Sequence, residues 1–223
     1  NITESWNGSA WSEVADLNTA RTGLGSNGAG VSNSSGLTAG GAGSNLAETE
    51  TWNGTSWSEV GDLNTARESL GVRGIVTAAI ATGGDVSPSA QTETWDGTSW
   101  TTVANLTTGR NMIGLAGLST AALAMGGEID PTPSALTESY NGSAWTEVAD
   151  LATARARPVG AGSMTSALAS SGYTTAVSDA TEEFSVPSTA SIAQEGQVWY
   201  NTTSNVLKGF GLASPTGAWA SGG

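Results

Sequence analysis

Four acidic side chains and one tyrosine in the loops of this sequence are of the types that bind sugars or a hard cation. They are Asp85, Glu128, Asp130, Tyr173 and Asp179. Carboxylates accept hydrogen bonds from sugar hydroxyls and are calcium ligands, and a tyrosine ring packs on an apolar face. Their spacing matches no known calcium loop, so we predict no metal site. These five residues are the predicted ligand-binding set.

The sequence offers little for catalysis. It contains no histidine and no cysteine, which removes the commonest general base and all thiolate chemistry. With 20 acidic residues some carboxylate pair arises by chance, so such a pair does not identify a glycosidase. Nucleophile elbows, phosphate loops and metal motifs are absent from the sequence. We therefore predict a non-enzymatic protein without a cofactor and with no catalytic residues.

The charge balance limits the partners. The chain has 20 acidic and 7 basic residues, for a formal net charge of −13. Such a chain repels both a phosphate backbone and an anionic membrane surface. No apolar stretch approaches the ~20 residues that span a bilayer. We predict neither nucleic acid binding nor membrane insertion.

A thirteen-residue phrase that begins Thr-Glu-Ser-Trp-Asn-Gly recurs along the chain at 3–15, 49–61, 92–104 and 137–149. Its period of about 45 residues is typical of propellers and repeat arrays. We predict one all-β domain over 1–223, a β-propeller of four-stranded antiparallel blades. The predicted repeats are about 1–46, 47–89, 90–134 and 135–180, and 181–223 is a degenerate closing segment or a connector.

The second repeat shows the predicted blade most cleanly. Its four strands are predicted at Ser69–Val76, Thr77–Thr82, Thr92–Trp95 and Ser99–Val103. Asn-Gly or Asp-Gly separates the last two strands in each copy and predicts a tight hairpin turn. Four such strands place the second-to-third and fourth-to-first connections on one face. The second-to-third loops vary most and are predicted at Ala42–Leu46, Asp85–Ala90, Glu128–Ala135 and Tyr173–Ala180.

An arginine and aromatic residues also recur once per copy. The arginines are Arg21, Arg67, Arg110 and Arg155. They are either a ring of cationic binding sites or structural ion pairs and bonds to loop carbonyls between blades, and we favour the structural interpretation because binding sites rarely repeat in every blade. The tryptophans are likewise predicted to pack in the core or between blades rather than to form sugar platforms.

The blade pattern resembles the kelch repeat over about residues 1–186. The resemblance depends on Gly40-Gly41, Gly83-Gly84 and Gly126-Gly127, each followed by a Thr-Glu glutamate and then a tryptophan. Ser171-Gly172 departs from the pattern, and Phe184 is not followed by the expected turn. The period is slightly shorter than in kelch repeats. The resemblance implies a kelch-like β-propeller.

The amino-acid sequence of the repeat, together with a segment near the end of the chain, shows a narrower resemblance. Asp-Leu-Asn-Thr-Ala-Arg at 16–21 and 62–67, with Glu-Gly-Gln-Val-Trp-Tyr-Asn at 195–201, resembles kelch-type proteins encoded by marine tailed bacteriophages. This resemblance implies a structural or adhesive role in a virion or tail fibre. It also implies a virion or extracellular location, with host polysaccharide or other virion proteins as partners. Assembly of the chain into a homo-oligomer is left open.

The two ends of the chain suggest how the ring closes. The sequence starts on the third and fourth strands of a blade, at Ile2–Trp6 and Ala10–Val14. Gln197–Tyr200 and Val206–Phe210 form one more predicted hairpin, which would pair with the N-terminal hairpin and close a fifth blade. A competing interpretation starts a fourth strand at Trp219, which makes 187–223 a connector in a longer array.

Three functions follow from these observations. The first is a phage propeller that binds host surface glycan through the variable loops. The second is a purely structural virion component that contacts other virion proteins. The third is a secreted carbohydrate-active enzyme, which needs a convergent, partly buried pair of acids.

Overall fold

The computed structural model describes residues 2–23, 29–43, 46–85 and 90–186, and three further strands at 198–201, 206–209 and 218–221. All regular structure in these residues is β-strand, and none of them forms a helix long and apolar enough to cross a membrane. The strands form four four-stranded antiparallel sheets and three two-stranded hairpins. The predicted all-β class is confirmed.

A hairpin and two meanders open the described chain. The N-terminal hairpin consists of β1 (Thr3–Trp6) and β2 (Trp11–Val14). Blade A consists of β3 (Ala29–Ser32), β4 (Ser35–Ala39), β5 (Thr49–Trp52) and β6 (Trp57–Glu59). Blade B consists of β7 (Gly71–Ile75), β8 (Ala78–Thr82), β9 (Thr92–Trp95) and β10 (Trp100–Thr102). The four strands predicted for the second repeat are therefore confirmed, with ends that differ by a few residues.

Blade C carries a small hairpin in its second-to-third loop. Its main strands are β11 (Gly114–Leu118), β12 (Ala121–Met125), β15 (Thr137–Tyr140) and β16 (Trp145–Glu147). The extra hairpin consists of β13 (Glu128–Ile129) and β14 (Thr132–Pro133). The sequence predicted a loop over this segment, because two-residue strands carry no periodic pattern.

Blade D has an insertion between its third and fourth strands. Its strands are β17 (Val159–Ser163), β18 (Ser166–Ser170), β19 (Thr181–Ser185) and β22 (Ala218–Ser221). The inserted hairpin is β20 (Val198–Asn201) and β21 (Val206–Gly209). Phe184 pairs with Trp219 in the register that pairs Trp95 with Trp100 in blade B. A fourth strand is therefore formed around Trp219, as one of the two interpretations predicted, and it belongs to the same sheet as β19.

The predicted pairing of the two terminal hairpins is not formed among the described strands. The hairpin β1–β2 and the hairpin β20–β21 are separate two-stranded sheets. The reason is topological, because β20 and β21 lie inside the connection that leads from β19 to β22. It is β22 that occupies the outer edge of β19.

The turns between third and fourth strands share one arrangement. In blade B the Oδ1 atom of Asp96 accepts the N–H groups of Thr98 and Ser99, each at 2.8 Å. The next residue, Gly97, has φ +99°, which glycine adopts without steric strain. Asn7, Asn53 and Asn141 make the same pair of bonds in their turns. The predicted turns are confirmed, and the side chain that closes each turn explains why Asp replaces Asn without loss of the hairpin.

The hydrophobic core lies between neighbouring blades. One buried cluster joins residues of blades A and B, a second joins B and C, and a third joins C and D. The inner strands β3, β7, β11 and β17 follow one another side by side. They approach so closely that a Cβ atom at Gly160 would lie 2.3 Å from the carbonyl oxygen of Leu115. This arrangement of meanders is that of a β-propeller-like fold.

In blades A, B and C, the fourth-strand tryptophan is hydrogen-bonded to the structure that precedes its blade. The indole N–H of Trp145 donates to the Thr92 hydroxyl at 3.1 Å, and that of Trp100 donates to Thr49 at 2.9 Å. Trp57 makes the equivalent bond to Thr3 of the N-terminal hairpin, at 3.2 Å. The hairpin β1–β2 therefore packs on blade A as the outer half of a preceding blade. For the buried Trp100 and Trp145, the predicted packing role is confirmed.

Candidate ligand-binding face

Each blade is tied to the preceding connection by an arginine and a glutamate, which we call the Arg–Glu clasp. The clasps pair Arg21 with Glu50, Arg67 with Glu93, Arg110 with Glu138 and Arg155 with Glu182. All eight side chains are buried. The structural interpretation of the recurring arginines is confirmed, and these four guanidinium groups are not accessible to a ligand.

The clasp of blade C shows the full set of bonds. Arg110 Nη1 lies 2.6 Å from Glu138 Oε1, and Arg110 Nε donates to the Gly126 carbonyl at 2.9 Å. The second carboxylate oxygen of Glu138 accepts the backbone N–H of Thr107 at 2.7 Å. Burial lowers the pKa of Arg110, and the neighbouring Glu138 acts against that shift. The buried guanidinium group of Arg110 thus lies at the base of the variable-loop face. Its bonds hold the connection that leads into β11, the inner strand of blade C.

A ring of left-handed residues lies two positions after each clasp arginine. Gly23, Ser69, Met112 and Arg157 have φ values of 66°, 56°, 51° and 56°. The last three members are joined by hydrogen bonds: the N–H of Met112 donates to Ser69 O at 2.7 Å, and that of Arg157 donates to Met112 O at 2.9 Å. A non-glycine residue in this region costs about 1–3 kcal/mol and is concentrated at functional sites. We call these four residues the axial ring.

Three of the five predicted site residues lie at equivalent positions beside the axial ring. Glu128 and Tyr173 each form a backbone bridge to the residue before the ring member of their blade. Asp85 makes the same approach, since its N–H donates to Glu68 O at 3.2 Å. Tyr173 is 48% exposed. The prediction placed these residues on one face, and the structure gives them one shared position in three successive blades.

Two acidic side chains meet on this face in blade B. Asp85 Oδ1 accepts the backbone N–H of Glu68 at 3.1 Å. The hydrogen bond between the two carboxyl groups raises the pKa of Glu68, and slight burial and the charge of Asp85 add to the shift.

The other two predicted residues lie farther out along the loops. Asp130 is exposed in the turn between β13 and β14, and Asp179 is exposed just before β19. Within the described ranges, no group of three or more Asp, Glu, His or Cys side chains is arranged to hold a metal ion.

A cavity of ≈ 200 Å³ opens at the axial ring. All four ring residues line it, together with apolar side chains of the inner strands and the residues that precede them. Those apolar residues are Leu70, Ile113, Pro158 and Val159. The cavity therefore draws on all four blades and lies on the face that carries the variable loops.

The ring residues Ser69, Met112 and Arg157 were not among the predicted site residues. The predicted set came from the second-to-third loops, although the fourth-to-first connections were expected on the same face. A usable signal was present, because the second residue after each clasp arginine is Gly, Ser, Met or Arg in successive copies while the arginine itself is constant. Variation next to a constant residue marks this position as surface rather than core.

Comparison with known proteins supports the fold. No protein-family model matches the sequence, and no curated protein matches it. Among 131 matching chains of solved structures is that of YjhT, with a TM-score of 0.67. The alignment covers 85% of this chain and 74% of the YjhT chain at 14% sequence identity. At this identity the similarity concerns the fold alone.

Proposed function

We propose that this protein is a non-enzymatic propeller of a phage virion or tail that binds a polysaccharide of the host cell surface. The binding surface is the face that carries the axial ring and the second-to-third loops. The observation that carries this proposal is the contrast at equivalent positions of successive blades. The clasps are constant, whereas the residues beside them change between Ala, Asp, Glu and Tyr at positions 42, 85, 128 and 173.

The chemistry of the face suits a glycan. Exposed carboxylates of Asp85 and Asp130 accept hydrogen bonds from hydroxyl groups, and the half-exposed ring of Tyr173 offers an apolar surface to a sugar ring. A net charge of −13 disfavours nucleic acid on the same surface. The proposed location in a virion rests on the resemblance of the repeat sequence to phage-encoded kelch-type proteins.

The ring in this proposal has five blades. Because Trp57 bonds to Thr3 as Trp100 bonds to Thr49, the hairpin β1–β2 corresponds to the outer strand pair of a fifth blade. Among the described strands, none pairs with this hairpin, so in this proposal a further strand pair forms the inner half of the fifth blade and completes the ring. Small-angle scattering of the purified chain tests this proposal, because a compact disc is expected for a closed ring and an elongated arc for an open one.

A structural virion component is the second candidate, and one observation favours it. The indole rings of Trp6 and Trp11 in the N-terminal hairpin are 44% and 63% exposed, whereas Trp95 and Trp100 at the equivalent positions are buried. Exposed aromatic side chains beside an unpaired strand are typical of protein contact surfaces. In this alternative, the partner is another virion protein.

The test is binding of the purified protein to intact marine bacterial cells and to a polysaccharide array. The variant Asp85→Ala, Glu128→Ala, Asp130→Ala removes three acids from the proposed face. The matched control Glu13→Ala, Glu59→Ala, Glu147→Ala removes three exposed acids from the outer strands β2, β6 and β16. We expect saturable binding that the first variant loses and the control keeps. Absence of binding by the folded protein on every surface would favour the structural role, and equal loss in both variants would remove the assignment to this face.

A further inference from the structure

The cavity at the axial ring contains a guanidinium group that the clasps do not use. We propose that this cavity binds one carboxylate-bearing sugar residue, with Arg157 as the partner of the carboxylate. This inference rests on the proposed glycan-binding function and specifies the sugar that the face recognises.

Arg157 differs from the four clasp arginines in its surroundings. Those arginines are buried and ion-paired, whereas Arg157 is exposed and takes part in none of the ion pairs of the described residues. Its Nε atom donates to the Met112 sulfur at 3.2 Å, and a thioether is a weak acceptor. A planar guanidinium with weakly engaged donors is suited to a bidentate contact with a carboxylate.

The backbone fixes the base of this side chain. Arg157 is held in the left-handed region, and its N–H is bonded to Met112 O at 2.9 Å. Its neighbour Pro158 is buried, which further restricts the chain at this point. A cation carried on a fixed backbone loses less conformational entropy when a ligand binds. The position is therefore organised before the ligand arrives.

The walls of the cavity define the rest of the ligand. Leu70, Ile113, Pro158 and Val159 present apolar surface, which complements the C–H face of a sugar ring. At ≈ 200 Å³ the cavity is smaller than a typical site for a drug-sized molecule, about 300–1,000 Å³. It therefore holds one sugar ring, and the remainder of a glycan chain lies over the loops.

The net negative charge of the molecule limits the kinds of polysaccharide that this face can bind. Glu68, Asp85 and Glu128 lie at positions beside the axial ring, in a chain of net charge −13. A uniformly anionic polysaccharide is repelled by this field. A neutral chain that ends in one acidic sugar is not, because its single carboxylate is placed at Arg157 while its hydroxyl groups meet the surrounding acids. We therefore infer a terminal uronic-acid type of residue.

Methionine methyl groups provide a direct readout. The chain has three methionines, of which Met112 lines the cavity and Met125 is buried in the core. Protein labelled with ¹³C at the methionine methyl groups is titrated with methyl glucuronide and, separately, with methyl glucoside. We expect a saturable shift of the Met112 signal with the glucuronide, no such shift with the glucoside, and no change at Met125.

Variants of the cations complete the experiment. Arg157→Gln is expected to weaken glucuronide binding about tenfold or more, because a hydrogen bond to a charged group contributes about 1.5–3 kcal/mol. Arg73→Gln removes the same charge from a half-buried residue of β7 outside the cavity and is expected to leave binding unchanged. The Met125 signal verifies that each variant is folded.

Three results would overturn the inference: equal shifts with both glycosides, no shift of Met112 with either, or glucuronide binding that Arg157→Gln leaves intact. The outcome is separable from that of the proposed function. Glucuronide binding at Met112 without binding to any cell or polysaccharide would support the site and reject the function. Cell binding that Arg157→Gln does not alter would support the function and reject the site.

Discussion

The clasps of blades B and C use the same two residue types at the same depth but differ in their bonding. In blade C, Arg110 and Glu138 are 2.6 Å apart, and Arg110 Nε is bonded to a carbonyl. In blade B, Arg67 and Glu93 are 3.3 Å apart, and Arg67 Nε and Nη1 have no hydrogen-bond partner in the described part of the chain. Burial lowers the pKa of both arginines.

The same arginine and glutamate therefore recur in each repeat without forming the same set of bonds in each blade. One carboxylate oxygen is anchored alike in both blades, since Oε2 of Glu93 accepts the Asn64 N–H and Oε2 of Glu138 accepts the Thr107 N–H, both at 2.7 Å. The arginines differ in their bonds to carbonyl groups. Arg110 donates to Gly126 O through Nε at 2.9 Å, whereas the bond of Arg67 to a carbonyl runs from Nη2 to Ala81 O at 3.4 Å.

The largest expected effect is the loss of the blade C clasp. Arg110→Met leaves the Glu138 carboxylate buried without its cation, which costs about 3–5 kcal/mol in similar buried pairs. We expect a reduction of that size in the free energy of unfolding, measured by denaturant titration at pH 7. The paired change Arg110→Met with Glu138→Leu removes both charges and is expected to recover most of the loss.

The matched change in blade B sharpens the comparison. Arg67→Met removes two donors that are already without partners, so we expect its cost to be smaller than that of Arg110→Met by about 1–3 kcal/mol. Equal losses in the two blades would mean that the bonding difference has no energetic consequence.

The next effect concerns the tryptophan bonds between blades. Trp145→Phe removes the indole donor to Thr92 and leaves a space in a buried site, so we expect a loss of about 1–3 kcal/mol in the free energy of unfolding. Trp57→Phe is the control, because Trp57 is only partly buried and its partner Thr3 lies in the two-stranded N-terminal hairpin. A larger loss in the free energy of unfolding from Trp57→Phe would contradict the expectation that the more buried tryptophan bond contributes more to stability.

The smallest effect is a pH dependence at the turn of blade B. Two backbone N–H bonds, from Ser99 and then Thr98, lower the pKa of Asp96. A lowered pKa stabilises the folded state above the ordinary Asp value of about 4, and this stabilisation is lost as the pH falls through the folded pKa. Asp96→Asn restores the residue of the other three turns and cannot titrate. Denaturant titrations from pH 7 to pH 3 should show the wild type losing stability relative to this variant below about pH 4, and parallel curves would refute the assignment.

Much of the fold could be predicted because the repeat contains local information. Three signals lie within about ten residues of one another in each repeat: Thr-Glu-x-aromatic, then Asn-Gly or Asp-Gly, then a tryptophan. Sequence patterns determine strands and turns over that range. The hairpin β13–β14 and the pairing of β22 with β19 were less accessible. The first has strands too short to show a period, and the second joins strands far apart in the chain.

The candidate site could be predicted only in part. Asp85 and Glu128 follow glycine pairs, Tyr173 follows Ser171-Gly172, and all three were found from loop variation. Arg157 and Met112 were missed because their role depends on a cavity that four separate copies build together. No single repeat contains that geometry, so a reading of one copy at a time does not reveal it.

The insertion in blade D has a consequence for the order of assembly. In blades A to C the third and fourth strands are joined by four residues, whereas 32 residues lie between Ser185 and Ala218. The entropy of closing the longer loop adds about 2 kcal/mol, at about 0.6 kcal/mol for each doubling of length. Local hairpins of the earlier blades therefore form first, and β22 joins last on the folding pathway. Until then the edge of β19 is open to strands of other chains, which makes the emerging polypeptide most prone to strand exchange at its final step.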